Sequence, residues 1–397
     1  MWKLSTVCNI TYRDFQVQIQ DALKKNSRRR LAIWGAGVRG MLAGILLESA
    51  GIKDFCFIDS AIDRIGTRIS GHEVKAFEKL DKEDLYILVS MEYQEVVIEK
   101  LKRQGLKEYI DYYCLKSEID DFFIEKLKSN WDTDILVLGT SYCFNLPIDE
   151  IKEMSLAQIL ERQMDKRVKV LGMSSVGMRS FYRTFQIEFN KNPQLKKVVL
   201  LINWKDLTSY NHLLPRTQKP QLTRMMINYT EELGYSEIKE DLEEDLKLAL
   251  QRSQNYKVEN QYSPQNVEDN LKNDVRIEYL KISELEKLDK QAEEYIFLEK
   301  LLADSYLKNV KTYLIIEPHN YELIIESLGK KVCTIYEEKF NFLREIAMKY
   351  KVKIVDGSRL LDKNNFVATR TVSDALRIKG RQKFAEFIED IVRDEGE

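Results

Sequence analysis

The sequence predicts an α/β protein with two domains, each built on a parallel sheet. At 397 residues the chain is comfortably long for two domains, and its 44% apolar content is sufficient for two cores. Twice along the chain, short apolar runs alternate with stretches of helical periodicity. Such alternation is typical of βαβ units, whose strands pair in parallel.

The first alternating segment ends near residue 115. A polar-faced helix is expected over 12–30, and the apolar runs LAIW, FCFID and LYILVS are expected to be strands. The stretches MLAGILLESAG and EVVIEKLKRQG have the periodicity of helices. We therefore predict a Rossmann-like parallel-sheet domain over residues 1–115, followed by a charged helical connector over 116–132.

The second alternating segment fills residues 133–397. Its apolar runs DILVLG, VKVLGM, KKVVLLINW, KTYLIIEP and VKIVDGS are predicted strands, and helices are expected over 148–164, 176–189 and at the C-terminal end. Residues from about 216 to 305 are polar, show helical patterns and lack obvious buried strands. The prediction is a three-layer α/β/α domain interrupted by a helical insertion.

Charge and cysteine content narrow the functional class. The 62 basic and 64 acidic residues nearly cancel, which argues against a global attraction to nucleic acid. No run approaches the ~20 apolar residues of a membrane span, and the N-terminus lacks a signal-peptide pattern, so we expect a soluble cytoplasmic protein. The five cysteines are widely separated and are expected to be reduced, with no disulfide framework and no metal site.

A glycine-rich turn joins the first predicted strand to the helix that follows it. Gly35, Gly37 and Gly40 fit the pattern G-x-G-x-x-G, and Asp59 ends the next strand. The glycines allow backbone N–H groups to approach a phosphate at the helix N-terminus, and the acid suits a ribose hydroxyl. The alternative is that the glycines serve only close packing of helix on strand in an empty fold.

The wider pattern WGAGVRG…FIDSAIDRIGTRISGHEV…LYILVS resembles the small nucleotide-binding-type domains often joined to enzymes of bacterial surface-polysaccharide synthesis. A similar domain heads certain sugar O-acyltransferases, where it holds a nucleotide-linked sugar. The resemblance implies a nucleotide or nucleotide-sugar as the ligand of this domain. The unit of ~100 residues is shorter than a full dinucleotide domain, which disfavours NAD-dependent redox chemistry.

Four short blocks in the second domain carry small or polar residues. Ser141 ends ILVLGTS, Gly172 follows VKVL, Asn203 follows VVLLI, and Asp374 lies in SDALRIKG before the terminal helix. Their order resembles that of the SGNH (GDSL-like) hydrolase superfamily. The nearer match is to the branch containing the D-alanyl-lipoteichoic acid transfer protein and polysaccharide O-acetyltransferases. The likeness spans roughly residues 133–395 and implies an SGNH-like fold.

The resemblance also implies roles. Acyl transfer needs an activated hydroxyl, donors aimed at the developing oxyanion, and a base oriented by a carboxylate. Ser141 would be the nucleophile, Gly172 and Asn203 the oxyanion donors, and Asp374 the orienting acid. The implied activity is an O-acyltransferase or esterase acting on a bacterial surface-polysaccharide precursor, with an acyl donor as the second partner.

One position departs from the family pattern. Arg377 stands where the family has its histidine, and a guanidinium cannot accept a proton at neutral pH. Three interpretations remain open: His319, after the strand TYLIIEP, supplies the imidazole; Asp374 acts as a weak base or, with Arg377, binds a charged substrate; or the domain only binds, as a non-catalytic assembly protein. Ser141 and Asn203 would then be ordinary caps of the segments after them.

Overall fold

A computed structural model describes residues 6–26, 29–62, 64–91, 94–129, 133–164, 167–173, 177–208, 219–255, 277, 280–281, 284–367 and 375–393. The chain divides into two compact units. The first contains Met1–Ile119 and Leu146–Ile151, and the second contains Asp120–Asn145, Lys152–Pro264 and Asp269–Glu397. Both units combine helices with mainly parallel sheets, which confirms the predicted α/β fold class.

The first unit is built on a six-stranded sheet with helices on its faces. The strands of this sheet are β2 (Arg30–Trp34), β3 (Phe55–Ile58), β4 (Arg68–Ile69), β5 (His72–Lys75), β6 (Leu85–Val89) and β7 (Tyr112–Cys114), and a separate short strand, β1 (Thr6–Cys8), precedes them. Its helices are α1 (Asn9–Lys25), α2 (Val38–Ser49) and α3 (Glu95–Arg103). The sheet order is β4-β5-β3-β2-β6-β7, parallel except for the β4–β5 pair. The short β1 pairs separately with β9 (Asn145–Pro147).

Alternate residues of the central strands enter two different cores. In β2, Leu31 and Ile33 pack in the core that contains α1 and α2, whereas Ala32 and Trp34 pack in the core that contains α3. Successive side chains of a strand point to opposite faces, so a sheet covered on both faces needs a continuous apolar run. The run LAIW meets this requirement.

The second unit is built on a five-stranded, fully parallel sheet. Its strands are β8 (Ile135–Gly139), β10 (Val168–Gly172), β11 (Lys197–Ile202), β12 (Lys311–Ile316) and β13 (Lys353–Asp356). Its helices are α4 (Ile119–Lys128), α5 (Leu156–Gln163), α6 (Met178–Lys191), α7 (Pro220–Glu232), α8 (Ser236–Asn255), α9 (Glu293–Leu307), α10 (Tyr321–Leu328), α11 (Lys331–Lys349) and α12 (Ile378–Arg393).

The sheet of the second unit is doubly wound. Its order is β10-β8-β11-β12-β13, so the chain moves to one edge first and then reverses direction across the sheet. Leu136 and Leu200 face a core shared with α6, α9 and α11. Val137 and Val199, at the alternate positions, are buried on the opposite face. Within the predicted insertion, the described helices are α7, α8 and α9.

One helix begins later than its periodicity predicted. The sequence favoured a helix over 148–164, but α5 begins only at Leu156, because Ser155 and Gln158 form a reciprocal capping box there. The residues before it form strand β9 and a 3-10 turn over Ile148–Glu150. Among the helices that the structure describes, none has the length and apolar character needed to cross a membrane.

Candidate active site

The second unit places Ser141 and Asn203 at the point where its strand order reverses. Ser141 follows β8 and Asn203 follows β11, and these two parallel strands are neighbours in the sheet. In doubly wound sheets, ligands bind in the crevice beyond the carboxyl ends of the strands at this reversal. Two of the predicted site residues therefore lie where the topology favours a ligand.

The turn after β8 is capped by Thr140 and not by Ser141. Thr140 Oγ1 accepts a hydrogen bond from the Tyr142 backbone N–H at 3.3 Å, at the start of the 3-10 turn Ser141–Cys143. Ser141 is half-buried, and its hydroxyl has no hydrogen-bond partner among the described residues. The capping interpretation of Ser141 is wrong, because its neighbour performs that role.

Gly172 is required by packing against the same turn. A Cβ at this position would lie 2.6 Å from the Phe144 ring and 2.7 Å from Cys143 Cβ, both closer than real Cβ contacts. The end of β10 can therefore approach the turn that carries Ser141 only with glycine here. This close approach accounts for the glycine without any contact to a substrate.

Asn203 caps its turn and keeps its amide donors available. Its Oδ1 accepts from the Lys205 N–H at 3.2 Å, and its own backbone N–H donates to Asp206 Oδ2 at 2.8 Å. The capping interpretation is thus confirmed. Because the cap uses only the side-chain oxygen, Nδ2 remains without a hydrogen bond within the described part of the chain. Capping and donation to an oxyanion are compatible here.

The loop that carries His319 is tied to the turn that carries Ser141. Thr140 Oγ1 donates to the Glu317 carboxyl oxygens at 3.0 and 3.2 Å, and Tyr142 Oη donates to the Pro318 carbonyl at 2.8 Å. The two residues flanking Ser141 are therefore bonded to the two residues preceding His319. These bonds reach past β11, which lies between β8 and β12.

His319 is fully buried with one ring nitrogen engaged. Its Nδ1 lies 3.2 Å from Tyr336 Oη and 3.5 Å from Glu284 Oε2. Its Nε2 is buried and has no hydrogen-bond partner among the residues that the structure describes. An imidazole held through Nδ1 with Nε2 unused is the arrangement that a general base requires.

The carboxyl group of Glu284, which faces His319, is ionised. Burial alone would raise the pKa of Glu284, but His319, Lys339 and the Tyr336 hydroxyl outweigh it and lower that pKa to about 2. Burial lowers the pKa of Lys339 to about 8, although Glu284 and Glu286 oppose the shift. Lys339 Nζ donates to the Glu284 backbone carbonyl at 2.9 Å. Glu284 is thus a carboxylate at neutral pH, positioned beside the imidazole.

Three neighbouring strand ends each present a buried polar atom without a partner in the described ranges. They are Trp204 Nε1 after β11, His319 Nε2 after β12 and Ser358 Oγ after β13. Trp204 and His319 both pack on the Tyr336 ring, with centroid distances of 5.6 and 5.7 Å. Buried polar groups almost always find partners. Their concentration along one sheet edge marks a place that a polar ligand or water can satisfy.

The predicted Asp-x-x-Arg block is only partly described. Asp374 lies outside the described residues. Arg377 is half-buried one residue before α12, and its backbone N–H donates to the Asn365 carbonyl at 2.8 Å. The carboxylate that faces Nδ1 of His319 is Glu284, a residue that the sequence did not single out.

Sequence reasoning missed three residues of this site: Glu317, Glu284 and Tyr336. Glu317 had a local signal, since an acid directly after an apolar strand lies at the same end of the sheet as Ser141. Glu284 and Tyr336 had none. They reach His319 from the insertion and from α11, and nothing in their local sequence distinguishes them from surface residues.

In the first unit, packing explains two of the three fingerprint glycines. A Cβ on Gly40 would lie 1.7 Å from the Gly35 carbonyl oxygen, and Gly35 has φ of +115°, a conformation unfavourable for other residues. A Cβ on Gly37 would meet nothing within 4 Å. Close packing of helix on strand therefore accounts for Gly35 and Gly40 but leaves Gly37 unexplained.

Asp59 organises the glycine turn. Its Oδ2 accepts from the Ala36 N–H at 3.1 Å and pairs with Arg64 at 3.1 Å, while Oδ1 accepts from the Ala61 N–H at 2.9 Å. The carboxylate predicted to bind a ribose hydroxyl already has these three partners. A sugar hydroxyl would have to share it with Arg64.

No protein-family model matches the sequence, and no curated protein matches it either. Among solved structures, the chain is similar to a catalytic mutant of an acetylxylan esterase from Geobacillus stearothermophilus. The identity is 12% and the TM-score 0.31, with 66% of this chain and 96% of that chain covered.

Proposed function

We propose that the protein is a serine esterase or O-acyltransferase whose nucleophile is Ser141 and whose general base is His319. One observation carries the proposal: His319 is held through Nδ1 beside the carboxylate of Glu284, its Nε2 has no partner in the described chain, and its loop is hydrogen-bonded to the turn of Ser141. In this proposal, His319 takes the place of the imidazole that the Asp-x-x-Arg block lacks.

In the proposed reaction, Nε2 of His319 takes the proton of Ser141 as Oγ attacks the acyl carbonyl of an ester. The developing oxyanion accepts from Nδ2 of Asn203, which the cap leaves available. The imidazolium then returns its proton to the leaving alcohol, and an acyl-serine remains. Water resolves this intermediate in an esterase, and a sugar hydroxyl resolves it in a transferase. A surface-polysaccharide precursor as the acceptor is an inference from the sequence resemblance.

Covalent labelling tests this proposal without knowledge of the natural substrate. The full chain is treated with a fluorophosphonate probe, and the modified peptide is identified by mass spectrometry. We expect the label on Ser141, its loss in Ser141→Ala, and slow labelling in His319→Gln. Ser49→Ala, which removes a hydroxyl from α2 of the first unit, serves as the control and should label normally. Equal labelling of the wild type and Ser141→Ala would refute the proposal.

The alternative function is binding without acyl chemistry, and Arg377 is the observation that favours it. A protein that kept the fold but only bound a nucleotide-sugar would have no serine labelled by the fluorophosphonate probe. It would still gain thermal stability with the ligand, by an amount set by ligand concentration over Kd. The labelling result distinguishes the two roles, since both allow a nucleotide-sugar in the first unit. Thermal unfolding with millimolar nucleotide-sugars, for the wild type and Gly37→Ala, tests that binding separately.

A further inference from the structure

A tyrosine hydroxyl lies between the imidazole of His319 and the carboxylate of Glu284. Tyr336 Oη is 2.6 Å from Glu284 Oε2 and 3.2 Å from His319 Nδ1, whereas Nδ1 and Oε2 are 3.5 Å apart. The direct separation is longer than a good N–H···O hydrogen bond. The hydroxyl therefore bridges base and acid through two hydrogen bonds, beside the longer direct contact.

The direction of these hydrogen bonds follows from the protons available. A tyrosine has one hydroxyl proton, and an ionised carboxylate can only accept. Tyr336 donates to Glu284 through the shorter, charge-assisted bond. Its oxygen can then only accept from His319, which requires a proton on Nδ1 and leaves the Nε2 lone pair unprotonated.

The opposite tautomer is disfavoured at Nδ1. Nε2 has no partner among the described residues in either tautomer, so it does not distinguish them. With the proton on Nε2, Nδ1 would be a lone pair facing a hydroxyl whose proton is already donated to Glu284. A buried lone pair that faces a hydroxyl without a proton to donate is unsatisfied, so the Nδ1–H form dominates the neutral imidazole.

We propose that Tyr336 is a positioning residue whose hydroxyl sets the Nδ1–H tautomer of His319 and thereby presents Nε2 as the proton acceptor. In the usual serine triad the carboxylate hydrogen-bonds the imidazole directly, whereas here a phenol hydroxyl bridges the two. The catalytic consequence rests on the proposed function of Ser141. The tautomer itself does not, and it can be measured in an inactive protein.

The decisive measurement is the nitrogen NMR spectrum of the full chain labelled with ¹⁵N-histidine. The chain has only three histidines, so His319→Gln assigns the signals of His319 by their disappearance. At about pH 8.5, where an ordinary imidazole is neutral, we expect a protonated Nδ1 and an unprotonated Nε2. A protonated Nε2 in the wild type would overturn the proposal.

Two variants test the part played by the hydroxyl. In Tyr336→Phe, we expect a smaller Nδ1–H population and a kcat for p-nitrophenyl acetate lower by about 10- to 100-fold, with KM nearly unchanged. Glu284→Gln provides a second variant: its amide can donate to Tyr336, which frees the phenol proton for Nδ1 and should populate the Nε2–H form.

The matched control is Tyr321→Phe. The Tyr321 ring packs against that of Tyr336 at a tilted angle, but its hydroxyl donates to Cys333. In this variant His319 should keep the wild-type tautomer, and kcat should remain within about twofold of the wild type. A wild-type tautomer in both Tyr336→Phe and Glu284→Gln would refute the role of Tyr336, whatever their activity. If Ser141→Ala retains full activity, the catalytic function fails while the tautomer result still stands.

Discussion

The hydroxyl of Thr140 and the carboxyl group of Glu317 are joined by hydrogen bonds of 3.0 and 3.2 Å, and Glu317 is completely buried. The bonds link the turn after β8 to the loop after β12, and Ser141 and His319 lie on these two segments. A buried polar group that loses its partner costs far more than the bond itself contributes. Thr140 therefore fixes the local geometry between the two proposed catalytic residues.

Removing this hydroxyl should destabilise the second unit. Thr140→Val removes the Thr140 hydroxyl from the Glu317 carboxyl group and the Oγ1 acceptor from the Tyr142 N–H, at an expected cost of about 1–3 kcal/mol. Thr140→Ser keeps both bonds and should cost less than about 1 kcal/mol. Urea unfolding followed by tryptophan fluorescence measures both. Equal midpoints for Val and Ser would show that the Thr140–Glu317 bond contributes nothing.

The buried ion pair of Lys169 and Glu188 should show strong energetic coupling. Their charged atoms are 2.7 Å apart, and Lys169 also donates to the carbonyls of Leu127 and Ser129 at the end of α4. Glu188→Leu leaves the buried Lys169 without its carboxylate, at an expected cost of about 3–5 kcal/mol. Lys169→Met should cost less, because Glu188 keeps Lys191 at 3.6 Å. The double variant should be less destabilised than the sum of the singles. Additive unfolding free energies would contradict this prediction.

Glu294 should make stability depend on pH. Burial raises the pKa of this carboxyl to about 8, helped by Glu293 and Asp206, although it accepts from the Met178 N–H at the start of α6. Between its ordinary pKa, near 4.5, and about 8, the folded protein keeps this proton while the unfolded chain loses it. Stability therefore falls as pH rises through this window.

Glu294→Gln should remove that dependence, since an amide does not titrate and can still accept from Met178. One pKa unit corresponds to about 1.4 kcal/mol, so the wild type should lose up to about 4 kcal/mol relative to the variant between pH 5 and 8. Urea midpoints at the two pH values provide the comparison. If the urea midpoints of the wild type and of Glu294→Gln changed equally between the two pH values, the pKa of Glu294 would not be raised.

The glycine turn of the first unit offers a matched pair. Gly40→Ala would force its Cβ against the Gly35 carbonyl at 1.7 Å, so the backbone must move, at a cost of about 3 kcal/mol or more. Gly37→Ala meets open space and should cost less than about 1 kcal/mol. Thermal unfolding monitored by circular dichroism compares the two. A Gly40→Ala protein as stable as Gly37→Ala would contradict the packing explanation.

The features that the sequence could predict depend on interactions between residues close together along the chain. The strands β2, β8 and β11 were predictable because a strand buried on both faces must be a continuous apolar run. The start of α5 was not, because a capping box at Ser155 overrides the periodicity upstream. The strands and the start of α5 both depend on residues that are neighbours along the chain.

The environment of His319 could not be predicted from local patterns. Its partners Glu284 and Tyr336 are separated from it by 35 and 17 residues, and only the fold brings them to the imidazole. Thr140 caps the turn after β8, a role that the sequence left open for Ser141 as the alternative to catalysis, because either hydroxyl of a Thr-Ser pair can cap a turn. Asp374, on which the family pattern relied, lies outside the described residues.

The position of Glu284 in the helical insertion has a consequence for recognising related chains. An acid and an imidazole that reach the sheet edge from separate stretches of the chain leave no compact signature such as Asp-x-x-His. Homologues of this kind would be overlooked by any pattern anchored in the last helix, and shortening the insertion would remove the carboxylate while sparing the serine. A more informative pattern joins the Gly-Thr-Ser turn to the Glu-Pro-His that follows the fourth strand of the sheet.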